Sequence, residues 1–121
     1  MFSLNRFAAL RAKSEKDRQF RRHQVDLAVR VKAWRAGAYQ VVDGRGSDVS
    51  QGGMALFATT ALQLGETVTM EVTLPYSDHP LMLTGVVRNV NGQRYGMEFV
   101  NLRDQQRESI LRLCDSLEKS A

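Results

Sequence analysis

An all-β domain is what this sequence predicts: an antiparallel barrel or sandwich of about six strands with a C-terminal helix and a basic N-terminal arm. Three observations carry that expectation. Apolar and polar residues alternate at period 2 in four separate stretches, glycine-rich and proline-bearing clusters punctuate them, and a 3.6-residue period dominates only near the end of the chain. The 121 residues, 43% hydrophobic and 25% charged, suit one globular domain. A chain of this size buries roughly 65% of its unfolded surface, enough for one core.

The first strand begins at Val25, where Val25, Leu27, Val29 and Val31 alternate with Asp26, Arg30 and Lys32. Ala38 to Val42 and Met54 to Ala58 supply the next two. Thr67, Thr69, Glu71 and Thr73 then alternate with Val68, Met70, Val72 and Leu74, and Leu81 to Val90 and Gln93 to Val100 complete the set. Tyr95, Met97 and Phe99 share one face of the last strand. Asn91-Gly92 between the last two runs predicts a type I′ hairpin, since both residues tolerate positive φ. Turns or loops are expected at Gly44-Arg45-Gly46-Ser47, Gly52-Gly53, Leu64-Gly65-Glu66 and from Pro75 to Pro80. Closing the sheet would hide the edges of so small a β domain. In Leu102 to Lys119 the residues Ile110, Leu113, Cys114 and Leu117 form an apolar stripe fit to pack on the sheet, with Asn101 as the expected N-cap and Asp104 in the first turn. Met54, Met70, Met82 and Met97 fall on strand patterns as core fillers, and Trp34 reads as barrel packing or a partly exposed strand residue. Leu4, Phe7, Ala8 and Leu10 permit a short N-terminal helix.

Charge is distributed unevenly. Residues 1–35 hold ten Lys or Arg against three Asp or Glu, and residues 36–121 hold seven against ten, so the first third is +7 and the remainder −3. Arg18, Arg21 and Arg22 lie within five positions, an electrostatic footprint for an anionic partner, phosphate first. Other chemistries drop out of the expectation. Cys114 is the sole cysteine and His23 and His79 the sole histidines, so neither an internal disulfide nor an ordinary zinc site is expected. No window approaches the ~20 apolar residues that span a bilayer, and Asn5 and Arg6 interrupt any signal-peptide core, so a soluble cytoplasmic protein is expected.

Two short patterns flank the first two strands. Arg18-Gln19-Phe20-Arg21-Arg22 is an R-x-x-x-R spacing, and Asp48-Val49-Ser50-Gln51-Gly52-Gly53 is a D-x-S-x-x-G spacing. Guanidinium forks grip phosphate or the O6/N7 edge of guanine bidentately and stack on bases. A carboxylate at Asp48 accepts from guanine N–H donors, Ser50 offers a hydroxyl, and Gly52 and Gly53 let backbone N–H groups approach a ligand without a Cβ in the way. Together these residues describe a pocket for a phosphorylated guanine.

At these residues the sequence resembles the PilZ domain family, whose signature is R-x-x-x-R followed some twenty to thirty residues later by [D/N]-x-S-x-x-G; Arg22 and Asp48 are 26 apart. Thr73-Leu74-Pro75, Gly85-Val86-Val87, Gly96-Met97-Glu98-Phe99 and the helix from Asp104 to Lys119 look like the family's later landmarks. The resemblance covers roughly residues 18–118, leaving 1–17 as an arm or short helix and 119–121 as a tail. It implies a six-stranded antiparallel barrel that binds the bacterial second messenger cyclic di-GMP, with the arm folding over the nucleotide. Residue by residue, Arg18 and Arg22 match the signature arginines, with Arg21 beside them, and Asp48, Ser50 and Gly53 match the second motif, with Gly52 adjoining. Arg88 stands where many members carry an aromatic, so stacking there would fall to a guanidinium. His23, beside the arginines, is a further candidate contact.

The function these residues imply is a receptor or adaptor that changes its surface on binding cyclic di-GMP and so regulates a partner protein. It needs no cofactor and no catalysis, since no nucleophile with a neighbouring base and no paired carboxylates can be named. One alternative is a small basic barrel binding single-stranded nucleic acid, disfavoured by an aromatic content of only 7%. Another is a member of the same family that keeps the fold as an interaction surface without the ligand, which the intact motifs argue against.

Overall fold

Strands form where the alternation runs, and they run further than periodicity alone reaches. A computed structural model describes residues 20–120, with β1 His23–Arg35, β2 Ala38–Val49, β3 Gly53–Ala58, β4 Thr67–Val72, β5 Leu81–Asn91, β6 Arg94–Val100 and one helix, α1, Asp104–Ser120. The expected N-terminal arm or helix over 1–17 lies outside the described residues, as does Arg18. Every strand pairs antiparallel in the order β1-β2-β3-β6-β5-β4, and β4 pairs back onto β1 through Val29 opposite Val72 and Val31 opposite Met70, closing the barrel. Of the two architectures left open by the alternation, the barrel is the one formed. Among the described residues no strand keeps a free edge, which protects a small sheet from pairing with other chains.

The inward set is the apolar half of each alternation. Leu27, Val29, Val31 and Ala33 from β1 meet Leu56, Met70, Leu83, Val87 and Tyr95, all buried. Burying aliphatic side chains of this size contributes about 1.5–3 kcal/mol each. On α1, Ile110, Leu113 and Cys114 are buried, with Leu117 packed against the same core. The Gln106 side chain donates to the Met82 carbonyl at 2.7 Å and fixes α1 against β5.

Several local expectations are corrected. Gly44-Arg45-Gly46-Ser47 is no turn but the second half of β2. A Cβ on Gly44 would stand 2.6 Å from the Phe57 carbonyl oxygen, so glycine there answers a close backbone approach rather than a reversal. In the β5–β6 hairpin Asn91 pairs with Arg94, leaving Gly92-Gln93 as the two-residue loop with positive φ at Gly92 alone, a II′ rather than I′ pattern. The I′ signature belongs instead to Ala36-Gly37 between β1 and β2, at φ 51° and 77°. Asn101 is not the N-cap; it takes a positive φ of 53° before the helix. The capping position is Arg103, whose N–H donates to Gln106 Oε1 at 2.7 Å while its carbonyl accepts the Arg107 N–H, half of a capping box. Met82 faces outward, 39% exposed, unlike Met54, Met70 and Met97, and Trp34 is 62% exposed, edge-on to Tyr39.

Register shifts interrupt the ladders at three places: Gln24/Leu27 on β1, Gly46/Asp48 on β2 and Val87/Asn89 on β5. A bulge adds a residue and reverses which parity faces in. On β2 the even residues Val42, Gly44 and Gly46 follow the inward register; the extra residue Ser47 turns Asp48 outward and returns Val49 to the core. On β5 the odd residues Leu81, Leu83, Gly85 and Val87 are buried, and the shift after Val87 leaves Arg88 and Asn89 both exposed on the outer surface.

Candidate functional site

The two outward bulges face one another across β3 and β6. Asp48 pairs with Ala55, Ala55 with Gly96, and Gly96 with Asn89, so Asp48 and Asn89 flank Ala55 and Gly96, with the Asn89 carboxamide lying over Gly96 where a Cβ would run into it. Arg22 leans in from just ahead of β1. Its Nη1 donates to Asp48 Oδ1 at 2.8 Å, joining the two motifs. The same oxygen accepts the Ala55 backbone N–H at 3.2 Å, and the other, Oδ2, accepts from Arg94 Nη2 at 3.0 Å. Asp48 is thus held by two guanidinium groups and a backbone amide, with 16% of its side chain exposed. Opposite it, Arg88 donates to Glu98 at 3.1 Å.

The D-x-S-x-x-G turn frames one end of this surface. Ser50 is buried, its N–H donates to the Gly53 carbonyl at 2.8 Å, and its hydroxyl accepts the Gly52 N–H at 3.2 Å. It works as the keystone of the turn. A Cβ on Gly53 would run into the Met97 carbonyl, and one on Gly52 would meet the Phe20 ring at 3.1 Å. These glycines allow β3 to lie against β6 and the arm to lie against the turn.

Of the residues expected to share a site, Arg22, Asp48, Gly52, Gly53 and Arg88 are brought together. Arg22, Gly52, Gly53, Arg88, Asn89 and Glu98 line an open cleft of about 30 Å³. Arg21 and His23 point elsewhere. Backbone extension at the start of β1 sends alternate side chains to opposite sides, and both lie near Glu118 of α1, Arg21 Nη1 at 3.7 Å and His23 Nε2 at 3.8 Å from its Oε1. Sequence reasoning missed Arg94, Asn89 and Glu98. Arg94 reaches Asp48 only because β3 separates their strands by one small residue, a relation visible in the register and in no local motif.

A larger depression of about 370 Å³ lies among Ala28, Arg30, Asp43, Arg45 and Glu71 on the outer face of β1 and β2. Its arginines are engaged by carboxylates, Arg30 with Asp43 and Arg45 with Asp26, and it contains none of the motif residues. Chemistry favours the smaller cleft over the larger one.

The family model for the PilZ domain matches residues 16–116, most of the chain and both motifs. The chain belongs to the PilZ family. PilZ domains are binding and adaptor modules. Among solved structures this one is similar to the Bacillus subtilis inhibitor of motility MotI (DgrA), at 18% identity and a TM-score of 0.69 over 84% of this chain and 51% of that one. It is also similar to the PilZ domain of CeSA from a cellulose-synthesising bacterium, at 25% identity and a TM-score of 0.64, covering 81% of this chain and 98% of that one. A third likeness is to the PilZ domain of Escherichia coli YcgR, solved with c-di-GMP, at 19% identity and a TM-score of 0.64, covering 84% and 91%. The chain spans about half the length of MotI. Among curated proteins, none matches the sequence. Among the described residues no helix is long and apolar enough to cross a membrane, and no cluster of His, Cys, Asp and Glu could hold a metal ion.

Proposed function

We propose that this PilZ domain is a receptor for cyclic di-GMP that regulates a partner protein. The observation that carries the reading is the meeting of Arg22 and Asp48 at 2.8 Å beside Gly52, Gly53 and Arg88. A guanine base presents donors that suit a carboxylate and acceptors that suit a guanidinium. The two motifs therefore hold complementary halves of a guanine site, and in the free protein each half satisfies the other.

A cleft of about 30 Å³ does not enclose a dinucleotide, so the ligand lies on the surface between Asp48 and Arg88 and draws Arg22 from Asp48 onto phosphate or base. In the sequence Arg18 and Arg21 precede Arg22, and His23 follows it. As Arg22 moves, the contacts of Arg21 and His23 with Glu118 move with it, and the surface near α1 changes. That altered surface is what the partner reads. YcgR, a PilZ domain solved with c-di-GMP, supports the assignment of ligand.

The test is calorimetry on the full chain with cyclic di-GMP, followed by recovery of the nucleotide. Binding at micromolar protein, intact nucleotide afterwards, and loss of the heat in Arg22→Ala and Asp48→Ala are the expected results. Absence of heat with the wild-type chain, or undiminished heat in both variants, refutes the assignment.

A further inference from the structure

We infer that Arg94 is a positioning residue for the nucleotide: it holds Asp48 so that the carboxylate meets the guanine edge in one orientation. The inference rests on the proposed cyclic di-GMP reading. Arg94 lies outside both motifs, in a strand that begins 46 residues after Asp48, and donates to its Oδ2 at 3.0 Å.

Counting acceptor positions gives the reason. An ionised carboxylate offers about four lone-pair sites, two on each oxygen. In the free protein Oδ1 is filled by Arg22 and by the Ala55 N–H, while Oδ2 holds Arg94 alone. Withdrawal of Arg22 onto the ligand leaves one bound donor and one open site on each oxygen. That is a paired acceptor, matched to the adjacent N1–H and N2–H donors of guanine. Without Arg94 the same step leaves a carboxylate that is only 16% exposed with a single backbone donor, free to turn about its χ2 torsion and short of a counter-charge. Arg94 thus keeps the carboxylate paired throughout the exchange of Arg22 for the base. It also keeps Oδ2 in the plane that a two-point contact needs.

Arg94 is itself half exposed and, among the described residues, bonded through its side chain to Asp48 alone, so its guanidinium is present at the ligand's edge rather than buried beneath it. The register explains its reach. Ala55 puts only a methyl group between the strands of Asp48 and Arg94, and a larger residue there would stand in the way.

The experiment compares wild type, Arg94→Ala and Arg94→Lys by calorimetry, with cyclic di-GMP and with its inosine analogue, which lacks the 2-amino donor. Thermal melts check that each variant folds. The wild type is expected to prefer cyclic di-GMP over the analogue. In Arg94→Ala, cyclic di-GMP affinity should fall about tenfold or more and the preference over the analogue should collapse towards unity. Arg94→Lys, which keeps the charge and one donor, should recover part of both and carries the comparison should the alanine variant fail to fold. A merely electrostatic role would weaken both ligands equally and leave their ratio intact; that result, or wild-type affinity and ratio in the variants, overturns the inference while the receptor reading stands. Failure of the wild type to bind either nucleotide removes the receptor reading and this inference together.

Discussion

Arg21 and Arg22 are neighbours in the chain and point to opposite sides of the extended backbone, Arg21 lying 3.7 Å from Glu118 on α1 and Arg22 2.8 Å from Asp48 on β2. The alternation of an extended backbone produces this division, and it separates two effects that a run of arginines would otherwise blur. On the proposed receptor reading, Arg22→Ala should weaken cyclic di-GMP binding at least about thirtyfold, since it removes a guanidinium fork from the candidate site. Its effect on stability should be under about 1 kcal/mol, because Arg94 and the Ala55 N–H still hold the Asp48 carboxylate and Arg22 itself is half exposed. Arg21→Ala should cost only a few-fold in affinity by the same reasoning about exposed charges. Calorimetry and urea unfolding on the two variants measure both numbers; equal losses of affinity would contradict the division.

The turn beyond Asp48 makes a second prediction, about rigidity. At Gly53 the atom in the way of a Cβ is the Met97 carbonyl, part of the β3–β6 ladder, and a backbone has little freedom to yield. At Gly52 the obstacle is the edge of the Phe20 ring, which can turn aside. Gly53→Ala should therefore destabilise the domain by about 1–3 kcal/mol, and Gly52→Ala by less than about 1. Denaturant midpoints at constant slope decide it, with the reverse ranking as the contrary result.

Much of the barrel was legible because burial imposes a period on the chain. Leu27, Val29 and Val31 are recognisable as a core face from their spacing alone, and so are Tyr95, Met97 and Phe99. Bulges break that period, and the candidate site sits on the breaks. Ser47 carries no mark that it is the extra residue of β2, yet it turns Asp48 to the outer surface; the shift after Val87 does the same for Arg88 and Asn89. Gly44 and Gly46 read as a turn because glycine is the usual residue of reversals, whereas here the Phe57 carbonyl crowds Gly44 and the Met54 side chain fills the space a Cβ on Gly46 would take. Arg94 was invisible for a different reason. Its relation to Asp48 runs across three strands, and only the pairing register shows it.

The β1–β2 loop places a residue under avoidable strain. Ala36 has φ 51°, a left-handed conformation that costs an L-residue with a Cβ roughly 1–2 kcal/mol. Asparagine tolerates that region, and Asn-Gly is the preferred pair for a I′ loop. Ala36→Asn should raise stability by about 0.5–1 kcal/mol without altering nucleotide affinity, because the loop closes the end of β1 remote from His23 and Arg22. A β-branched residue, as in Ala36→Val, should lower it. Thermal unfolding of the pair gives the sign, and destabilisation by asparagine would show that the loop takes another form in solution.

At that same remote end Arg35 clasps Glu66 with two bonds, Nε to Oε2 at 3.1 Å and Nη2 to Oε1 at 2.7 Å, and also donates to the Ala61 carbonyl at 2.8 Å. Glu66 in turn accepts the Gln63 N–H at 3.0 Å, so one ion pair pins the loop between β3 and β4 to the end of β1. The Arg35 hydrogen bonds, helped by the Gln63 amide, hold the Glu66 carboxyl below the usual carboxylate range against the opposing effect of burial. A carboxyl whose folded pKa is lowered stabilises the fold above its unfolded pKa, and that stabilisation is lost as pH falls through the lowered folded value. Glu66→Gln should therefore cost about 1–2 kcal/mol at pH 7, where the charged pair is intact. The gap between wild type and variant should close as the pH drops below 4.5, the ordinary Glu value, and the wild-type carboxyl takes up its proton. Urea unfolding at pH 7, 5 and 3 follows the gap directly; a difference that stays constant over this range would mean that the loop is held by packing and not by the charge on Glu66.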